Sequence, residues 1–127
     1  MRTIKFRGKR LSYGEWVFGY LIVTSKGTEI LEDGVFLEVD PATVGQFIGR
    51  ADKNEKDIYE GDLLAPMPND CRPEYKGNWI VGFNECSYVA EPSDGKTRET
   101  WIPYWSERQV EIIGSIHDTP ATDNGAN

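Results

Sequence analysis

The chain has 127 residues, 28% of them charged and 39% apolar, with a net charge of −7. It is the size of one domain and long enough to bury a core without disulfide or metal staples. Four Trp and six Tyr exclude a disordered chain, which would be poor in aromatics. No run of about 18 apolar residues exists to span a membrane, and the start, MRTIKFRGKR, lacks the apolar stretch of a secretory signal.

These exclusions lead to a reducing cytosol as the expected location, where Cys71 and Cys86 would be free thiols. Their pairing stays open. Charge is unevenly spread. Arg2, Lys5, Arg7, Lys9 and Arg10 fall in the first ten residues with no acid among them, leaving nine Lys/Arg against 21 Asp/Glu, a net of −12, for the rest. Such an acidic body argues against general affinity for phosphate backbones, although the basic start could form a local patch or pair with the body's acids.

Residues 3–7 (TIKFR) alternate, with Ile4 and Phe6 facing one way and Lys5 and Arg7 the other, as in a half-buried strand. Residues 8–14 read as a polar loop and 15–23 (EWVFGYLIV) as a more buried strand. Gly19 within it signals a bulge or a close approach of another backbone. Residues 28–31 and 35–39 flank Glu32-Asp33-Gly34, a hairpin signal that Asp40-Pro41 terminates.

Residues 46–50 and 58–59 are extended runs separated by the polar turn Asp52-Lys53-Asn54-Glu55, and Glu60-Gly61-Asp62 makes a second corner before Leu63-Leu64. Residues 66–78 hold three Pro and form a long loop of a length that is unusual unless functional. Further strands are expected at 79–83, 88–90, 98–102 and 110–116, with at most one helical turn at 104–109.

The fold class is therefore mostly β with little helix: a small barrel or a two-sheet sandwich of short antiparallel strands. Residues 1–117 would make one β domain and 118–127, without a large apolar residue, a flexible tail.

Chemistry is sparse. The single His117 sits beside the polar tail, where a histidine is more often exposed and inert, and it shares no short ligand spacing with Cys71 or Cys86. Phosphate-cradling glycine motifs and RNP-like aromatic motifs are absent. Glu60 and Asp62 could share a face for cation or acid/base work. Alternatively, Asp62 caps the turn while Glu60 is solvated. Trp101, Tyr104 and Trp105 surround Pro103 and offer either a stacking platform or the cap of a barrel core. No catalytic, cofactor or metal-binding constellation emerges, so an enzyme is the least favoured class.

Three blocks carry a family resemblance: IKFRGK with EWVFGYLI, then VGQFIGRADKNEKDIYEGDLL, then VEIIGSIHDTP. Together they resemble the YopX family of small phage and prophage proteins, over blocks that span nearly the whole chain. The resemblance implies a phage or mobile-element origin and brings no established activity. One departure is Glu55, where the family commonly has glycine. If that position needs φ > 0, glutamate costs about 1 kcal/mol, and the expectation is that Asn54 takes the left-handed conformation or that the loop shifts.

The expected role is a non-catalytic accessory protein that binds a protein partner or itself. Its candidate binding surface is Trp101, Tyr104, Trp105, Lys5 and Arg7, together with the 66–78 loop. The alternatives are a nucleic-acid-associated protein using the basic start, and an acidic decoy of a nucleic-acid-binding protein. No membrane contact, cofactor or small-molecule substrate is expected. Self-association is expected because a β chain must hide its edge strands.

Overall fold

The computed structural model describes residues 4–66, 77–84, 87–94 and 110–118. Among them are ten strands: β1 (Phe6–Lys9), β2 (Trp16–Thr24), β3 (Gly27–Glu32), β4 (Val35–Glu38), β5 (Gly45–Ala51), β6 (Asp57–Tyr59), β7 (Asp62–Leu64), β8 (Trp79–Asn84), β9 (Ser87–Pro92) and β10 (Ile112–Ser115). One turn of 3₁₀ helix, Pro41–Thr43, precedes β5. No helix of the described residues is long and apolar enough to cross a membrane. The expected strand at 98–102, the helical turn at 104–109, Cys71, Cys86, most of the 66–78 loop and the tail beyond Asp118 lie outside the described residues.

The strands form two antiparallel sheets, ordered β4-β3-β2-β1-β5-β6 and β10-β7-β8-β9. A single bridge between Arg10 and Val39 bends the β4 edge back toward β1. One bridge is not a ladder, so the sheet curls without closing. Of the two expected architectures, the two-sheet one holds.

Local chemistry accounts for the turns. Asp33 (φ 51°) and Gly34 (φ 83°) give the β3–β4 hairpin two consecutive left-handed residues, the backbone of a type I′ turn, whose twist matches that of the flanking strands. Gly19 is the close approach its position signalled, since a Cβ there would collide with the Leu31 carbonyl oxygen.

The first strand is displaced from its expected position. It runs Phe6–Lys9, through part of the stretch read as a loop, and Ile4 is exposed. Lys9 supplies the reason. Its N–H donates to Thr43 Oγ1 (2.9 Å) and its carbonyl accepts from the Asp40 N–H (2.8 Å), which holds the chain extended past Gly8.

Two apolar clusters result. Val17, Ile30 and Val39 pack with Phe6, Leu21, Leu37 and Val44 inside the curled sheet. Ile58, Leu64, Trp79, Val81, Ala90 and Val110 form the second cluster, where the two sheets join. Each fully buried Ile or Leu contributes about 1.5–3 kcal/mol.

Candidate functional site

The corner between β6 and β7 organises the junction of the sheets. Gly61 has φ 90°, a conformation that a residue with a Cβ adopts only under strain. Its N–H donates to the Val81 carbonyl and its carbonyl accepts from the Ile116 N–H, both at 2.9 Å. This one glycine therefore ties the corner to β8 and to the end of β10. Asp62 caps the turn as expected, its Oδ2 accepting from the Tyr59 N–H at 2.8 Å. Glu60 is not simply solvated, because its Oε1 accepts from the Gln46 N–H at 2.8 Å and anchors β5.

Arg7 departs most from its sequence reading. Alternation put it on a solvated face, yet it is buried. Both faces of β1 are covered: Phe6 faces the curled-sheet cluster, and Arg7 meets the β7 corner. One guanidinium nitrogen donates to Asp62 Oδ1 at 2.7 Å. The guanidinium also lies 4.2 Å from the Trp16 ring centre and 4.9 Å from that of Tyr59, a weakly hydrated cation held by aromatic faces. Its buried Nε has no hydrogen-bond partner in the structure. Burial pushes the Asp62 carboxyl upward, opposed by the Arg7 charge and the Tyr59 N–H. A cleft of about 650 Å³ opens beside this pair, lined in part by Trp16, Phe18, Tyr59, Lys56 and Ile113.

The rest of the basic start is also taken up internally. Lys5 pairs with Asp57 at 2.9 Å and sits 5.0 Å from the Phe47 ring centre. The Asp57 bond raises its pKa. Lys9 donates to the His117 carbonyl at 2.5 Å and lies over Trp16. Arg10 is 3.7 Å from Glu15. Arg2 lies outside the described residues. His117 is packed rather than exposed, its ring edge-on to Trp16 at 6.4 Å. Burial first, then the Arg7 and Lys9 charges, push its pKa down.

Sequence reasoning passed over Asp52. It is fully buried, with Oδ1 accepting from the N–H groups of Asn54 and Lys56 (2.9 Å each) and Oδ2 from that of Ile112 (3.0 Å). Burial alone would raise this carboxyl, but the three backbone donors outweigh it and hold the pKa below the ordinary value. The bond two residues on is the Asx-turn signature an Asp-x-Asn turn can show. The bond to Ile112 has no local signal.

Among the described residues, no three His, Cys, Asp or Glu side chains come together as metal ligands. Trp101, Tyr104 and Trp105 lie outside the described residues. Away from the cleft, β2–β4 leave large apolar side chains uncovered, with Tyr20 66% and Phe36 58% exposed.

Comparison with protein families matches residues 6–122 to the family described as YopX protein. That range contains nearly all of the three blocks that carry the resemblance. Comparison with curated proteins gives no match.

Proposed function

This chain belongs to the YopX family, and we propose that it acts as a non-catalytic accessory protein of phage or prophage origin. In this reading it works in the cytoplasm of the bacterial host by binding a protein partner or a second copy of itself. The observation that carries the reading is where the N-terminal cations go. Three of the four described ones face carboxylates and the fourth donates to a backbone carbonyl. Cations engaged in this way release few counterions to a phosphate backbone, which disfavours the nucleic-acid alternative.

The exposed rings of Tyr20 and Phe36 add positive support, because aromatic residues are enriched in interface cores. Two measurements test the reading together. Light scattering coupled to size exclusion over a dilution series reads self-association against the 14.4 kDa of one chain. Retention of host proteins on the immobilised chain, compared with a Tyr20→Ser/Phe36→Ser variant, reads a foreign partner. A monomer at every concentration, with identical retention by both proteins, would overturn this use of the face.

A further inference from the structure

The register of β2, β3 and β4 sets two cross-strand rows on one face. Tyr20, Leu31 and Phe36 form the first, and Ile22, Glu29 and Glu38 the second. Directly opposed residues of an antiparallel pair share a face. Phe18 shares it too and leads from this row into the cleft, where it contacts Tyr59. Toward β1 the face is covered by the β7 corner. At β4 the Phe36 ring is open to solvent.

Two features of this face are unfavourable in the isolated chain. Large rings are left in water, and Glu29 stands directly opposite Glu38, an arrangement of like charges that destabilises a sheet. Neither carboxylate has an ion-pair partner among the described residues. Local violations of this kind, without a compensating contact, are characteristic of functional surfaces. One ligand chemistry relieves both: a cation between the carboxylates with apolar groups over the rings.

We propose that the outer face of β2–β4 docks a segment of a foreign protein that places an arginine or lysine between Glu29 and Glu38 and lays apolar side chains on Tyr20, Leu31 and Phe36. The inference rests on the protein-binding reading above and specifies its partner. A second copy docked through the same face does not fit, because it would bring two more carboxylates to the same spot. Arginine suits it best, since its planar fork pairs with carboxylates and stacks on rings.

The test uses the full chain and a labelled peptide of alternating Arg and Leu, with alternating Glu and Leu as control, read by fluorescence anisotropy at physiological salt. The Arg-Leu peptide binds and the Glu-Leu peptide does not. Glu29→Gln/Glu38→Gln weakens binding by about tenfold or more, while melting no lower than the wild type because the opposed charges are gone. Glu15→Gln/Glu111→Gln removes the same charge away from this face and changes binding less than about twofold.

Equal losses from both charge-removing variants would mean diffuse attraction to an acidic protein and would overturn the proposal. Loss with Tyr20→Ser/Phe36→Ser but not with Glu29→Gln/Glu38→Gln would overturn the cation while leaving the protein-binding reading intact. A wild-type chain that ignores the Arg-Leu peptide would also overturn it.

Discussion

The Arg7 guanidinium and the Asp62 carboxylate meet at 2.7 Å across the junction of the two sheets, with side chains 9% and 2% exposed. Removing either partner strands the other charge in a buried site, which costs about 3–5 kcal/mol. Arg7→Met and Asp62→Asn are therefore each destabilising, and the double variant loses less than the two losses combined. The asparagine keeps an acceptor for the Tyr59 N–H. Chemical denaturation of the four proteins measures the coupling. A coupling below about 0.5 kcal/mol would show that the pair contributes no cooperative stability.

Gly61→Val loses at least about 1–2 kcal/mol, because φ 90° strains a β-branched residue. Space is not the obstacle, since the nearest atoms to a Cβ there are His117 ring atoms at 3.5 Å. An unchanged melting temperature would mean that the corner relaxes to an ordinary conformation.

At Glu55 the opposite change relieves strain. The structure puts the left-handed conformation at Glu55 itself (φ 65°), not at Asn54, so the position where the family commonly has glycine does require positive φ. Glu55→Gly is more stable than Glu55→Ala, which loses the same side chain, by about 0.5–1 kcal/mol, the strain relieved less the extra freedom of glycine when unfolded. A lower melting temperature for Glu55→Gly than for Glu55→Ala would contradict that account.

Acid lowers stability in two stages. His117 has its pKa pushed below 6.5, so the unfolded chain takes up its proton first. The associated stability is complete above pH 6.5 and shrinks as pH falls toward the folded value. Asp52, held below 3.8, contributes fully above that pH and loses its contribution as pH falls through its folded value. Asp62 acts in the opposite sense, because its carboxyl is raised, and it is common to every protein compared. Denaturation at stepped pH should show the upper stage missing from His117→Gln and the lower stage missing from Asp52→Asn.

Features whose physics is local were legible in the sequence. The Asp33-Gly34 hairpin, the close approach at Gly19 and the Gly61 corner each follow from what a few neighbouring residues can adopt. Arg7 was not legible, because a period of two separates the faces of a strand without saying whether a second layer covers the polar one. Lys5 and Arg7 look alike in sequence, yet Lys5 reaches an exposed Asp57 while Arg7 is enclosed by a corner more than fifty residues later. Asp52 was missed for a similar reason, since its bond to Ile112 spans sixty residues. The row in which Leu31 lies between the exposed rings of Tyr20 and Phe36 needed the strand register, which turn chemistry alone does not give.

The claim that this is a protein-binding chain whose described N-terminal cations are engaged internally is tested most directly by fluorescence anisotropy with random duplex and single-stranded DNA, titrated at low and physiological salt. The account predicts no binding tighter than the ~10⁻⁴–10⁻⁶ M typical of non-specific contacts, and no change on Lys5→Glu/Lys9→Glu. A submicromolar, steeply salt-dependent isotherm that this double variant abolishes would contradict it.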